Sequence, residues 1–211
     1  FVSPDGERSM NTYLGISAEL SSADVSKDVA SQAKIMFLEG YLFDKDKGKT
    51  AFMEAARNCH EGGGKAGIAI SDPFCVERHR DDFLSLIKNE LDYVIGNEDE
   101  IKSLFETDDL ESALAQTAEI CPLVVCTRSG DGVTVVSEGT RVDVPVNKVV
   151  PVDATGAGDQ FAAGFLFGMA NGRDLETCAK IGCVCAGEVI SHIGPRPEAN
   201  MLALLKAEGL V

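Results

Sequence analysis

The sequence lacks any apolar run approaching the roughly 18 to 20 residues needed to cross a bilayer. No basic, then apolar, then small-residue leader stands at its front. The expectation is a cytoplasmic chain that neither spans a membrane nor carries an export signal. Positive charge is also scarce: 19 basic residues against 34 acidic ones leave a formal charge of −15. That field repels phosphate backbones and anionic lipid heads at long range, so neither nucleic acid nor a membrane surface is an expected partner. A small polyanion can bind only where local NH groups or a metal ion overcome the background.

Cysteine pairs with metal or redox spacing are absent too. The seven cysteines, at 59, 75, 121, 126, 178, 183 and 185, are odd in number, lie mostly inside apolar segments and include no CxxC pair. Reduced thiols are the expectation. Cys183 and Cys185 are two apart, which on a helix turns them to different faces and argues against a shared metal. Nor is there a repeat, a low-complexity tract or a linker. What remains, 211 residues with 45% apolar and 25% charged side chains, is the composition of an ordinary globular domain. Disorder, collagen and coiled coil are excluded.

What is present is an alternation of short apolar runs with longer helical patterns, the signature of strands joined by crossover helices, so the class is α/β. Strands are expected at Ile35 to Leu38, Ala66 to Ile70, Tyr93 to Ile95 and Leu123 to Cys126, buried on both faces. Helices are expected at roughly 50 to 60, 77 to 90, 97 to 105 and 109 to 120, from apolar spacings of three and four. A β section follows, Val133 to Val136 and Arg141 to Val144, and the rest reads as mainly helical. The opening FVSPDGERSMNTYLG carries turn chemistry at Pro4-Asp5-Gly6 and reads as a hairpin. Gly62-Gly63-Gly64-Lys65 is not a Walker loop, since Ala66 follows the lysine, and reads as a helix stop before a strand.

The most informative segment is VVPVDATGAGDQFAAGFLFGMANG, residues 149 to 172. A β-prone run ends in Asp153-Ala154-Thr155-Gly156-Ala157-Gly158-Asp159 and becomes an apolar helix, whose Phe161, Phe165 and Phe167 are expected in the core. Two glycines and an alanine leave the NH groups of the helix start uncovered. Those groups lack intrahelical partners, and the macrodipole adds about half a positive charge, so an anion is favoured. A carboxylate beside such a hole repels the ligand if binding is its only task, but it makes sense as a base. Asp159 can take the proton from a hydroxyl nucleophile while Gly156, Ala157 and Gly158 hold negative charge on a phosphoryl group in flight. A plain helix cap with close-packing glycines fits the same residues. A dinucleotide fingerprint fits less well, because Phe161 stands where its last glycine is required.

DATGAGDQFAAGF resembles the C-terminal signature of the ribokinase, or PfkB, family of carbohydrate and nucleoside kinases. The resemblance implies a ribokinase-like three-layer sandwich, with a mostly parallel central sheet flanked by helices and a β lid. It also implies ATP-dependent phosphoryl transfer to a hydroxyl of a small sugar or nucleoside. Asp159 becomes the catalytic base, and Gly156, Ala157 and Gly158 the anion hole. Asn97-Glu98-Asp99-Glu100 is similar to the family's Asn-x-x-Glu motif, which organises Mg²⁺ largely through water beside the nucleotide phosphates. On that likeness Asn97 serves the nucleotide and Glu100 the metal. Thr127-Arg128-Ser129-Gly130-Asp131-Gly132 is similar to the family's nucleotide-contacting turn, with Ser129 where a glycine is usual. Thr127, Gly130 and Gly132 are the implied contacts, Thr127 and Gly132 the better candidates; a tight turn between strands would want the same glycines. Many relatives bind a monovalent cation, implying K⁺ at Asp153 and Thr155, although Asp153 also fits as a brace for its own turn.

The resemblance covers nearly the whole chain: residues 1–15 match the later part of the lid, 16–211 the nucleotide-binding and catalytic domain, and EVISHIGPRP (188 to 197) the stretch closing the nucleotide pocket. It leaves out the family's N-terminal portion, with its Gly-Gly motif and substrate-binding Asp. The chain is therefore expected to be about the C-terminal two thirds of a member. An adenosine-like nucleoside or ribose-type sugar is favoured as substrate, then fructose or another hexose, then a phosphosugar. The unpaired strand edges of the lid suit a homodimer formed through it. The competing expectation is a nucleotide or metabolite sensor of the same fold that transfers nothing.

Overall fold

Four apolar runs of the sequence become the first four strands of the sheet. The computed structural model describes residues 1–211. The strands are β1 (Ile35–Glu39), β2 (Lys65–Ala69), β3 (Tyr93–Asn97), β4 (Leu123–Thr127), β5 (Val133–Ser137) and β6 (Thr140–Val144), in one six-stranded sheet of order β1-β2-β3-β4-β5-β6. β1, β2 and β3 run parallel, with Ile35 opposite Lys65 and Gly67 opposite Tyr93. β5 and β6 are joined through Glu138 and Gly139, both at positive φ (48° and 76°), the pairing of a type I′ hairpin turn.

The helices are α1 (Lys27–Ala30), α2 (Asp46–Glu61), α3 (Pro73–Glu90), α4 (Glu98–Leu104), α5 (Leu110–Ile120), α6 (Ala157–Ala170), α7 (Leu175–Val189) and α8 (Met201–Ala207). The chain divides into two compact units. One comprises Phe1–Thr12, Thr127–Val135 and Val142–Val211; the other comprises Tyr13–Cys126 and Val136–Arg141.

In the second unit the core gathers Phe43, Phe52, Phe83, Ile68, Ile70, Val94, Ile101, Leu104 and Val124, with Phe43 stacked on Phe83 at 4.2 Å between ring centroids. Its helices start where short polar side chains meet free NH groups. Asp72 accepts from the Phe74 NH at 2.6 Å with Pro73 in the first turn, and Asp109 accepts from the Glu111 NH at 3.0 Å. The Gly62-Gly63-Gly64 stretch ends α2 and leads into β2, as its sequence suggests.

In the first unit α6 packs along α7, with Phe161 and Phe165 buried, and α8 adds Leu205 to Ile181 and Cys185. Phe167, expected in this core, is 41% exposed, because it lies on the opposite side of α6 from the buried Phe161 and Phe165 stripe. The opening hairpin is short. Val2 and Arg8 form a single antiparallel bridge, and no strand pairing continues beyond Ser9. Residues 10 to 14 are exposed and bury no apolar face, without which a two-stranded ladder is marginal.

No helix is long and apolar enough to cross a membrane. All seven cysteines are free and six are buried. Burial pushes the thiols of Cys75, Cys121, Cys178 and Cys183 up to about 11, so they stay neutral and unreactive near pH 7.

Candidate functional site: a glycine turn at the start of α6

The turn that opens α6 is held from several directions before any side chain is considered. Leading into it, the Val152 NH donates to the Ile190 carbonyl at 2.8 Å, and the Ala154 NH donates to the Gly6 carbonyl at the tip of the opening hairpin, also at 2.8 Å. Gly6 sits so close that a Cβ there would lie 2.8 Å from the Pro151 carbonyl oxygen. The hairpin is thus a brace for this segment, a role the sequence does not announce.

Asp153 is the centre of the brace. It is 3% exposed; its Oδ1 accepts from the Thr155 NH at 2.9 Å and its Oδ2 from the Gly194 NH at 2.8 Å. The Thr155 hydroxyl and the Gly194 and Thr155 NH groups hold its carboxyl below the usual carboxylate range, with a smaller attraction from Arg8. A carboxylate with a depressed pKa lends stability that is present above its unfolded value, about 3.9, and is lost as pH falls through the lower folded value. Asp153→Asn is therefore expected to lower stability at neutral pH and to flatten the acid limb of the stability curve, measured by chemical denaturation between about pH 2 and 7.

Gly156 caps α6 in the left-handed region, φ 82°, and a Cβ there would lie 2.7 Å from the Pro195 Cβ. The turn leaves three NH groups, those of Gly156, Gly158 and Asp159, with no acceptor in the protein. The Ala157 NH is instead turned back to the Ala154 carbonyl at 3.3 Å. Of the three NH groups expected from the sequence, two are open, and that of Asp159 joins them. Asp159 lies in the first turn of α6, exposed, with no hydrogen bond or ion pair to any protein group. A free carboxylate and three free NH groups therefore share one helix mouth, where the macrodipole is positive.

Thr127, Gly130 and Gly132 surround the tight turn between β4 and β5. The Arg128 NH donates to the Gly132 carbonyl at 2.7 Å and the Gly132 NH to the Ser129 carbonyl at 3.2 Å. Ser129 stands at φ 48°, a left-handed conformation that a glycine would take without strain. Gly130 is exposed and open, whereas Gly132 is buried at φ 96°, so the two glycines have different reasons to be there.

Asn97 and Glu100 form a reciprocal capping box at the start of α4. The Glu100 NH donates to Asn97 Oδ1 at 2.9 Å, while the Asn97 NH and Nδ2 donate to Glu100 Oε2 and Oε1 at 2.9 and 2.7 Å. Glu100 is buried, and the pair is a fixed array of hard oxygen atoms. No group of three or more His, Cys, Asp or Glu side chains is placed to hold a metal ion. Of the histidines, His60 is bonded to Asp92 at 2.7 Å and His79 to Asp44 at 2.8 Å.

A family profile described as pfkB family carbohydrate kinase matches residues 1–200. The chain is similar to a protein described as a probable sugar kinase from Rhizobium etli CFN 42, with a TM-score of 0.97 at 44% identity, covering 100% of this chain and 64% of that one. It is equally similar to the adenosine kinase from Sinorhizobium meliloti, with a TM-score of 0.96 at 45% identity, covering 99% of this chain and 64% of that one. The ribokinase from Thermotoga maritima, 22% identical, superimposes with a TM-score of 0.78 over 97% of this chain and 67% of that one, which shows the fold to be ribokinase-like. The chain spans about two thirds of the length of these solved structures.

Proposed function

Because the chain belongs to the pfkB family of carbohydrate kinases, we propose that the protein transfers the γ-phosphate of ATP to a hydroxyl of a small sugar or nucleoside. The observation that carries this reading is the Asp159 carboxylate, exposed and unpartnered beside the open NH groups of Gly156, Gly158 and Asp159. The acceptor hydroxyl gives its proton to Asp159 as its oxygen attacks the γ-phosphorus in line. The bond from phosphorus to the bridging oxygen breaks, and ADP leaves with that electron pair. The three NH groups hold negative charge on the phosphoryl group, at no reorganisation cost because the turn is already braced.

Mg²⁺ supplies charge neutralisation at the phosphates when bound, and the hard oxygens of Asn97 and Glu100 suit holding it through water. Asp153 and Thr155 offer the same kind of donors to K⁺, and Thr127, Gly130 and Gly132 would lie against the nucleotide. The likeness to the S. meliloti adenosine kinase supports an adenosine-like nucleoside or ribose-type sugar as acceptor. Pairing of two copies would run along the unpaired strand edges of the lid.

The test is calorimetric titration of the intact protein with ATP and Mg²⁺, beside ADP release over a panel of nucleosides, pentoses, hexoses and phosphosugars. Acceptor-dependent ADP release is expected, highest with a nucleoside or pentose. ATP binding with no release for any acceptor would favour a sensor of the same fold.

A further inference from the structure

The segment between α7 and α8, Ile190–Asn200, crosses the glycine turn and is pinned at three places. At its start the Ser191 hydroxyl donates to the Glu188 carbonyl at 2.6 Å. In its middle the Gly194 NH donates to Asp153, and Pro195 lies against Gly156. At its end, two successive NH groups, those of Glu198 and Ala199, donate to one oxygen, Glu188 Oε1, at 2.9 and 2.8 Å. The Glu188 side chain is only 9% exposed, and His192, itself 14% exposed, brings its Nε2 to 3.4 Å from the same oxygen. The other carboxylate oxygen, Oε2, is buried with no hydrogen-bond partner, as is His192 Nε2.

A buried carboxylate with one idle oxygen is an expensive way to terminate a loop, since the desolvation of that oxygen is not compensated. A side chain that served only to fill space there would be better apolar. The arrangement is explained if the carboxylate is needed for what its other oxygen does. We propose that Glu188 is a positioning residue: by gripping the Glu198 and Ala199 NH groups it fixes the loop that seats Gly194 and Pro195 on the Asp153–Gly156 turn, and so holds the open NH groups of that turn in place for the nucleotide phosphates.

The reach of the chain makes the coupling mechanical. Only Pro195, Arg196 and Pro197 separate Gly194 from Glu198. At roughly 3.3–3.6 Å per residue, and with two prolines fixing φ, this link has little slack. Freeing Glu198 and Ala199 therefore loosens Gly194, and with it the oxygen of Asp153 that Gly194 satisfies. Burial excludes water from the Glu188 carboxylate, which strengthens its two bonds to the loop relative to the same contacts on an open surface.

The proposal rests on the kinase reading for its consequence in turnover, but its structural half can be read without activity. In the intact protein, Glu188→Ala is expected to speed amide exchange at Gly194, Thr155 and Gln160 by about tenfold or more, as local opening becomes easier. It is also expected to raise KM for ATP about tenfold while KM for the acceptor stays within about twofold. Glu188→Gln, which can still present one oxygen to both NH groups, is expected to restore both readouts to within about threefold. Ala199→Pro removes one donor without touching Glu188 and should move both readouts in the same direction, which keeps the idea testable if Glu188→Ala does not fold.

Unchanged exchange at Thr155 and Gln160 in a folded Glu188→Ala or Ala199→Pro protein would overturn the proposal, as would nucleotide and acceptor KM rising together. If the wild-type protein releases no ADP at all, the kinase reading fails, and the exchange measurement alone decides the role of Glu188.

Discussion

Asp159→Asn is expected to lower kcat by about 10²- to 10⁴-fold, the range for loss of a general base, while ATP binding stays the same or tightens slightly. The second half of that expectation distinguishes a base from a binding group. Asp159 carries negative charge beside three NH groups that have no acceptor in the protein. It repels the anion those groups attract, so its neutral isostere should bind phosphate no worse. The substitution preserves shape, and the side chain has no protein partner to lose, so a stability change within about 0.5 kcal/mol is expected. A role confined to capping would give the reverse: lost stability and intact turnover.

Gly132→Ala is expected to cost about 2–4 kcal/mol of stability, combining backbone strain with overpacking. Gly132 stands at φ 96° and ψ −140°, and an added Cβ would lie 2.1 Å from the Val144 carbonyl oxygen and 3.1 Å from the Pro145 Cα. Both are backbone atoms and cannot turn aside as a side chain would. Two other glycines separate the causes. Gly139, at φ 76° with nothing within 4 Å of an added methyl, should show the strain alone, about 1 kcal/mol when changed to Ala. Gly130 has no positive φ and only the Lys148 Cε at 3.9 Å, so Gly130→Ala should be near neutral in stability. Thermal unfolding of the three variants should rank them Gly132, Gly139, Gly130. A shift of roughly 5–15 °C is expected for the first, at about 2–4 °C per kcal/mol for a chain of this size.

The parts of the fold that are legible in the sequence are those whose signal is local. The strand expected at Leu123 to Cys126 extends one residue, to Thr127, and that expected at Ala66 to Ile70 shifts by one, because a continuous apolar run marks a buried strand whatever its partners. Helix starts are less legible. α2 begins at Asp46, in a first turn of Asp, Lys, Gly and Lys that has no apolar period to read. α3 begins at Pro73, where Asp72-Pro73 carries the cap and first-turn signal but is also consistent with a strand end facing a ligand. The turn of the opening hairpin is legible, since turn residues specify a turn, but they do not specify how far pairing runs on either side of it.

The candidate site divides in the same way. The Gly156–Asp159 helix mouth is visible because glycine, alanine and a following apolar helix are contiguous. Its supports are not, for they come from distant parts of the chain: the Gly6 carbonyl meets Ala154, and the Gly194 NH meets Asp153 across 41 residues. Neither glycine has a periodic pattern to announce it. Glu188 is hidden in an ordinary helical run, and only the path of the loop returning to α8 gives its carboxylate a partner. The capping box at Asn97 and Glu100 shows the converse case. A local motif is readable as a motif, and its geometry serves the helix start whether or not a metal ion is nearby.

The most direct test of the central claim, that Asp159 takes the proton of the acceptor hydroxyl, is a single-turnover comparison of wild type and Asp159→Asn with bound ATP and the best acceptor of the panel. The account predicts that the variant fills with nucleotide as readily as wild type and transfers phosphate at least about 10²-fold more slowly. Transfer at a rate within about threefold of wild type would contradict it, because a proton acceptor essential to the chemical step cannot be removed at so small a cost.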